Sequence, residues 1–342
     1  MTSTTVEPAR KFHTLLAGGT TECSGNCYGI ESRRDFRAYA NRARSLRLSL
    51  WLLCGLFFAV AASPGRAVDA AAPDRAAALR GCLATYNAPP RGADGRVDQS
   101  RLLQELAELG ANTYNWLVWH QATDWDDLQR FLPRARAQNL RVWVTLVPPS
   151  ESPPRTKTFS EPYRLDYERW AQEIARLSLA EPNLVAWSID DFAHNLSVYT
   201  PAKLRLLLEG ARRLNPRLAF VPCVYFRQIT PAFAASHGGL LDGVLFPYRN
   251  ESVKANLTDP GQVAAEVARV RQLFPPGLPV IVDVYATRHS SLGDSTPEYV
   301  AAVLAAGRAA ADGVMVYCHQ NPKNQAAKHA IIRRAFAPIS SP

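Results

Sequence analysis

From residue 80 onward, short apolar runs alternate with segments whose apolar residues recur at helical spacing. Eight runs have the length and the β-branched or aromatic content of strands. They span residues 81–87, 112–120, 141–148, 184–191, 219–225, 243–248, 279–285 and 313–319. Amphipathic helices are predicted between them at 100–110, 124–139, 162–179, 201–215, 261–274 and 297–312, and the helical pattern is weakest in the fifth connection, 231–241.

Continuous apolar strands that alternate with helices predict an α/β fold whose parallel sheet is covered on both faces. Eight such units in about 260 residues match a single (β/α)8 TIM barrel, which typically needs about 250. A doubly wound sheet is the alternative, but the turn after the first strand, YNAPPRGADGR, lacks the Gly-rich phosphate-binding pattern. We therefore predict one barrel over residues 78–338 as the catalytic domain.

The N-terminal 70 residues do not follow this alternation. Arg42, Arg44 and Arg47 precede the uncharged stretch 48–62, which is followed by small residues, as in a secretory signal. The stretch is short for a retained membrane anchor, which needs about 20 residues. We expect a signal peptide at 46–70, a disordered leader or a misassigned start at 1–45, a secreted or periplasmic protein, and no stable membrane insertion after cleavage.

Composition and charge narrow the class of protein further. With 47% hydrophobic and 20% charged residues, the chain is neither disordered nor a small disulfide scaffold. The net charge is +9, but no basic run is interleaved with aromatic residues, so nucleic acid is not an expected partner. Cys82, Cys223 and Cys318 each lie in an apolar run and are predicted to be buried thiols without a disulfide framework.

Catalytic groups of such barrels stand where strands end and the following loops begin. Carboxylates, amides and aromatic rings occur at these positions, a mixture that suits the hydroxyl groups and apolar faces of a carbohydrate substrate. Any single one of them could instead satisfy a loop backbone. The predicted substrate-binding residues are Asn87, Trp119, His120, Tyr225, Tyr248, Asn250, Asp283, Tyr285 and His319.

A metal-dependent hydrolase is a weaker alternative on the same fold. Four histidines could face the mouth of the barrel, namely His120, His194, His289 and His319. The first strand, however, has no H-x-H, and the fourth offers no bridging lysine. We therefore expect neither a metal nor another cofactor.

The segment AWSIDDFAHN, residues 186–195, places Asp190 and Asp191 directly after an apolar strand. Two unpaired carboxylates are costly to bury, so both are expected at the mouth. Their repulsion should raise the pKa of one of them and leave an acid beside an anion, the pair that general acid/base catalysis requires. Alternatively, Asp191 caps the next segment and Asp190 pairs with a cation such as Arg249.

With this motif the chain resembles O-GlcNAcase-like glycoside hydrolase family 84, which has an Asp-Asp pair after strand four. LGANTYNWLVW and LRVWVTLVPPSE are similar to its second and third strands, whereas CLATYNAPP and WLVWHQ depart from its pattern. The resemblance implies that Asp191 is the general acid and base. It also implies that Asp190 orients a 2-acetamido group of the substrate, which acts as the nucleophile.

Without the resemblance, Asp283 could partner Asp190 or Asp191 in an ordinary two-carboxylate glycosidase. The sequence thus predicts an exported glycoside hydrolase with catalytic Asp190 and Asp191. The alternatives are a carbohydrate-binding barrel that has lost turnover and, less favoured, the metal-dependent hydrolase.

Overall fold

The computed structural model describes residues 74–318, 323 and 325–337, in which strands and α-helices alternate eight times. In chain order they are β1 Cys82–Tyr86, α1 Gln99–Leu109, β2 Thr113–Val118, α2 Asp124–Ala137, β3 Arg141–Leu146, α3 Tyr167–Ala180, β4 Leu184–Ile189, α4 Pro201–Leu214, β5 Ala219–Phe220, α5 Pro231–His237, β6 Val244–Tyr248, α6 Val263–Leu273, β7 Val280–Tyr285, α7 Pro297–Ala310, β8 Gly313–Tyr317 and α8 Ala326–Phe336. The predicted leader and signal peptide lie outside the described residues.

The eight strands form one parallel sheet in the order β5-β4-β3-β2-β1-β8-β7-β6. Its two edges meet, because Val224 N donates to Leu245 O at 2.9 Å and Leu245 N donates to Pro222 O at 3.0 Å. Strand β5 is regular for only two residues because Pro222 has no amide hydrogen to donate. The predicted (β/α)8 barrel is therefore confirmed.

Two hydrophobic cores hold the barrel together. The larger lies between the sheet and the surrounding helices. The smaller fills the barrel interior with side chains such as Cys82, Trp143 and Met315. Leu79, from the short 3-10 helix Arg75–Leu79 that precedes β1, is fully buried in this inner core. This helix plugs the end where the strands begin, and the opposite end carries the loops that follow the strands.

Local capping decides where several helices begin. Helix α3 starts at Tyr167 rather than at residue 162 because the Asp166 side chain accepts a hydrogen bond from Arg169 N. The fifth connection, where the helical pattern was weakest, forms only the short helix α5. Cys82, Cys223 and Cys318 are all buried, and none of them forms a disulfide bond within the described residues, as predicted. Among the described helices, none combines the length and the apolar character needed to cross a membrane.

Candidate active site

Asp190 and Asp191 lie together at the carboxyl end of β4. The preceding strand is apolar and ends at Ile189, so the carboxylates are the first charged groups after the buried layer. Asp191 adopts a left-handed backbone conformation, with φ 40° and ψ 37°, which non-glycine residues adopt rarely. Such strain persists only where surrounding contacts hold it, and it occurs often at functional sites.

Asn195 supplies those contacts. Its Nδ2 donates to the carbonyl oxygen of Asp191 at 3.1 Å and to Ser150 Oγ at 2.8 Å, and its Oδ1 accepts from Ser150 N at 3.1 Å. The side chain is buried and thus connects the loop after β3 to the turn that carries Asp191. The turn that carries Asp191 is therefore fixed by contacts with the loop that follows β3.

Asp190 receives hydrogen bonds on both carboxylate oxygens. The Tyr86 hydroxyl donates to Oδ2 at 2.9 Å from β1, and Asp191 N donates to Oδ1 at 3.0 Å. Burial, followed by the charge of Asp191, raises the pKa of Asp190 to about 6, while hydrogen bonds from Tyr86 and Cys223 act in the opposite direction. Asp190 therefore titrates close to neutral pH.

The structural alternative for the aspartate pair is wrong. Asp191 forms no side-chain cap on the following helical turn. Arg249 instead pairs with Glu251. Neither carboxylate therefore has the role that capping and pairing with Arg249 would give it.

Asp283, on β7, is buried below the mouth, and its Oδ1 has no hydrogen-bond partner among the described residues. Burial, and next the charge of Asp190, raises the pKa of Asp283 well above its ordinary value. Burial therefore favours the protonated form of this carboxyl group. In the sheet register Asp283 lies beside Met315, one alternation below the aromatic pair Tyr285 and Tyr317.

Three tyrosine rings cover this acidic cluster on adjacent strands β1, β8 and β7. The ring centroids of Tyr86 and Tyr317 are 4.8 Å apart, and those of Tyr285 and Tyr317 are 5.4 Å apart. Aromatic rings next to carboxylates offer both a stacking surface and a less polar surrounding for a sugar ring. The structure therefore places Tyr285, a predicted substrate-binding residue, at the same end of the barrel as the aspartates.

On the other side of Asp191, a depression of about 320 Å³ opens between the loops that follow β4, β5, β6 and β7. Arg249 lies over the Tyr225 ring, with its guanidinium carbon 4.0 Å from the ring centre. His194 Nδ1 is 3.3 Å from Asp191 Oδ2, and this hydrogen bond is the main reason why the pKa of His194 is raised. The predicted residue Tyr225 therefore lines the same depression as His194, the residue that Asp191 contacts.

Three further predicted residues follow β1 and β2. Asn87 accepts the Tyr114 hydroxyl on its backbone oxygen at 2.7 Å. The rings of Trp119 and His120 are half-buried, with centroids 6.0 Å apart. Burial lowers the pKa of His120, the charge of Asp124 raises it, and Arg91 lowers it further. These residues lie at the predicted rim, and their contact with a substrate stays a prediction.

Two predicted positions are corrected by the structure. Tyr248 points into the core between sheet and helices, where its hydroxyl donates to Asp259 O at 2.8 Å and its ring stacks on Tyr299. Asn250 is buried and donates to Asp259 Oδ2 at 3.0 Å. Both side chains stabilise the loop after β6 and do not line the mouth of the barrel. Side chains alternate along β6, and this alternation directs Tyr248 toward the helices. The sequence alone does not determine which face of the sheet Tyr248 occupies. His319 lies outside the described residues.

Tyr86, Cys223 and Arg249 also belong to the candidate site, although none is among the catalytic or substrate-binding residues predicted from the sequence. Tyr86 follows Cys82 and Ala84 on the inward alternation of β1, and that periodicity could have identified it. The contact of Cys223 with Asp190 crosses between strands and leaves no local signal. In the residues that the structure describes, no group of three or more His, Cys, Asp or Glu side chains is arranged to hold a metal ion.

No protein-family profile matches the sequence, and no curated protein does. Among solved structures, the chain is similar to a GH113 β-1,4-mannanase, with 10% identity, a TM-score of 0.51, and coverage of 75% of this chain and 99% of that chain. It is also similar to the β-glucuronidase from Ruminococcus gnavus, with 10% identity, a TM-score of 0.51, and coverage of 75% and 50%. The GH2 β-galacturonidase from Eisenbergiella tayi aligns with 12% identity and a TM-score of 0.48, over 75% and 51%.

The chain spans about half the length of the glucuronidase and galacturonidase chains that it matches. At these identities the likeness concerns the fold and not the chemistry. The comparisons therefore show that this chain has the barrel fold found in glycoside hydrolases.

Proposed function

We propose that this protein is an exported glycoside hydrolase that uses Asp190 and Asp191 for catalysis. The observation that carries the proposal is the cluster of three carboxyl groups, Asp190, Asp191 and Asp283, at the open end of the barrel. Asp190 and Asp283 form no ion pair with a cation in the described part of the chain, and burial raises the pKa of both. Buried carboxyl groups with shifted pKa values are frequent at catalytic sites, because unpaired buried charges are otherwise costly.

The surroundings of Asp190 and Asp191 suit different tasks. Asp190 is held by Tyr86 and by the amide of Asp191, so its orientation is fixed. Asp191 contacts His194 through Oδ2, while its Oδ1 is buried without a partner in the described part of the chain. We therefore assign Asp191 as the group that exchanges a proton with the glycosidic oxygen and Asp190 as the group that orients the reacting part of the sugar.

The resemblance to family 84 supports a substrate-assisted mechanism on N-acetylhexosaminides. Asp191 would donate a proton to the leaving oxygen as the glycosidic bond breaks, and the acetamido oxygen of the substrate would form the new bond to the anomeric carbon. Water would then open this intermediate while Asp191 takes the proton back. The buried position of Asp283 favours this mechanism over one in which Asp283 attacks the sugar. Asp283 would instead limit the charge next to Asp190.

The test is hydrolysis of aryl glycosides that differ at the 2-position and in leaving group. If Asp191 donates the proton, Asp191→Asn should lower turnover of poor leaving groups by about 10² to 10⁴ and spare activated ones, which depart without protonation. Asp190→Asn should impair both. Asp126→Asn, at an exposed acid on α2, is the matched control and should behave like the wild type.

The choice of sugar separates the mechanisms. Substrate assistance predicts cleavage of 2-acetamido sugars alone and inhibition by a bicyclic thiazoline. Cleavage of plain 2-hydroxyl sugars, together with equal damage from Asp283→Asn, would instead establish the two-carboxylate mechanism. Sugar binding without hydrolysis, unaffected by either change at Asp190 or Asp191, would replace the hydrolase by a carbohydrate-binding barrel.

A further inference from the structure

His289 lies in the loop after β7, and its neighbours determine which of its two ring nitrogens carries a proton. Its Nδ1 faces three donors: Ser291 N at 3.1 Å, Leu292 N at 3.2 Å and Ser291 Oγ at 3.2 Å. The two backbone groups can only donate, so Nδ1 must be the acceptor. A tight turn, in which His289 and Gly293 exchange backbone hydrogen bonds of 2.8 and 3.2 Å, holds the ring in place.

With Nδ1 unprotonated, the single proton of the neutral ring is on Nε2. Burial and the charge of Arg249 both lower the pKa of His289, so the ring is neutral at neutral pH. The Nε2 atom lies 3.4 Å from Arg249 Nη1, which is also only a donor. Two N–H groups therefore point into the same space without an acceptor between them, although His289 is 93% buried.

Arg249 has donor capacity left for such an acceptor. Its Nη2 is bound to Glu251, and its Nε has no partner among the described residues. Glu251 is itself satisfied, because its other oxygen accepts Arg227 N at 3.0 Å. Arg249 also lines the depression next to Asp191. The facing donors thus lie beside the proposed reaction centre, within reach of one substrate.

We propose that Arg249 Nη1 and His289 Nε2 form a subsite that binds an anionic substituent of the sugar, such as a carboxylate, sulfate or phosphate oxygen. This inference rests on the proposed function and names its substrate class as acidic glycosides. An oxygen that accepts hydrogen bonds from both N–H groups would give each of these facing donors an acceptor. The full charge of Arg249 favours an anion over a hydroxyl group.

The charges around the subsite support this assignment. Glu251 offsets one unit of positive charge, but Arg227 adds another at the edge of the same depression. The hydrogen bond with Asp191 raises the pKa of His194 and so favours its cationic form. Asp191 lies next to the depression through its contact with His194. A substrate with its reactive bond at the aspartates and its anionic group at Arg249 would match this arrangement of charge.

Binding of monosaccharides tests the subsite without requiring turnover. Isothermal titration calorimetry would compare glucuronate and galacturonate with glucose and galactose, and N-acetylglucosamine 6-sulfate and 6-phosphate with N-acetylglucosamine. We expect at least one acidic sugar to bind about tenfold or more tightly than its neutral counterpart. The tightest of the three anionic groups identifies the substituent.

His289→Asn is the sharpest variant, because Asn Oδ1 can replace Nδ1 as acceptor for Ser291 N while the Nε2 donor is lost. It should abolish the preference for the acidic sugar, as should Arg249→Lys, which keeps a cation opposite Glu251. Arg288→Gln removes an exposed charge from the same loop and should leave the preference unchanged. Melting curves would confirm that each variant is folded.

Equal binding of acidic and neutral sugars by the wild type would overturn the inference, as would a preference that survives both His289→Asn and Arg249→Lys. These results are independent of hydrolysis. If neutral glycosides are cleaved and acidic ones are not, the proposed function is supported and the anionic subsite is refuted. If acidic sugars bind through Arg249 and His289 but no glycoside is cleaved, the subsite is supported and the hydrolase activity is refuted.

Discussion

Removing the Tyr86 hydroxyl should shift the titration of Asp190, and Tyr86→Phe makes this change with little loss of volume. The hydroxyl donates to Asp190 Oδ2 at 2.9 Å and favours the ionised carboxylate, so its loss raises the pKa of Asp190 above the value of about 6. A hydrogen bond to a charged group contributes about 1.5 to 3 kcal/mol. At 1.36 kcal/mol per pKa unit, this corresponds to about one to two units.

Because Asp190 keeps some exposure to solvent, we expect the lower end, a pKa near 7. If catalysis requires ionised Asp190, the acid limb of kcat/KM should move about one unit toward higher pH. At pH 6 the ionised fraction would fall from about a half to about a tenth. Carbon-13 NMR of labelled aspartate would follow the same titration without substrate.

Tyr248→Phe is the matched control, because its hydroxyl bonds to Asp259 on the outer side of the sheet. Tyr248→Phe should leave the pH dependence of kcat/KM unchanged. An acid limb that stays in place in Tyr86→Phe, or that moves to lower pH, would show that this hydrogen bond does not set the ionisation of Asp190.

Three further results are expected. Asp190→Asn should raise the free energy of unfolding by about 2 to 3 kcal/mol at pH 7 and by only about 0.5 kcal/mol at pH 4, because an acid whose folded pKa is raised destabilises the fold as pH rises from 3.8 through about 6; urea unfolding at both pH values measures this. Asn195→Ala should lower kcat about tenfold or more with little change in KM, since it releases the turn that carries the catalytic pair. It should also lower the melting temperature, because a buried side chain with three hydrogen bonds is removed; steady-state kinetics that show a change in KM alone would contradict the positioning role. Gly313→Ala should destabilise the barrel by about 1 to 3 kcal/mol, because the new Cβ would lie 2.5 Å from Cys82 Sγ. Gly239→Ala, where the Cβ meets nothing within 4 Å, should not destabilise the protein, and equal melting temperatures for the two alanine variants would refute the packing argument.

Much of the barrel could be predicted from local patterns. The apolar runs 81–87 and 279–285 contain β1 and β7, because strands covered on both faces need nearly continuous apolar residues. The pattern fails where one residue overrides it, as in the run 219–225. There Pro222 removes an amide donor, and the regular strand ends at Phe220.

The site was predictable only in part. Asp190 and Asp191 stand out because two adjacent charges follow an apolar strand. Tyr248 ends its strand in the same way but faces the helices. A strand presents its side chains alternately to the two faces of the sheet, and a terminal aromatic residue suits either face. A shift of one residue in register exchanges the two faces.

The sequence by itself thus determined the number and order of the strands and helices and the position of the paired carboxylates, since periodicity, strand ends and adjacent charges are local properties of a chain. Only the tertiary structure decided the partners of those groups. Tyr86 comes from β1, Cys223 follows β5 and Asp283 comes from β7, yet all three affect the pKa of Asp190 or respond to its charge. These contacts join positions up to 104 residues apart in the sequence, and they form because closing the sheet brings the ends of all eight strands to one rim.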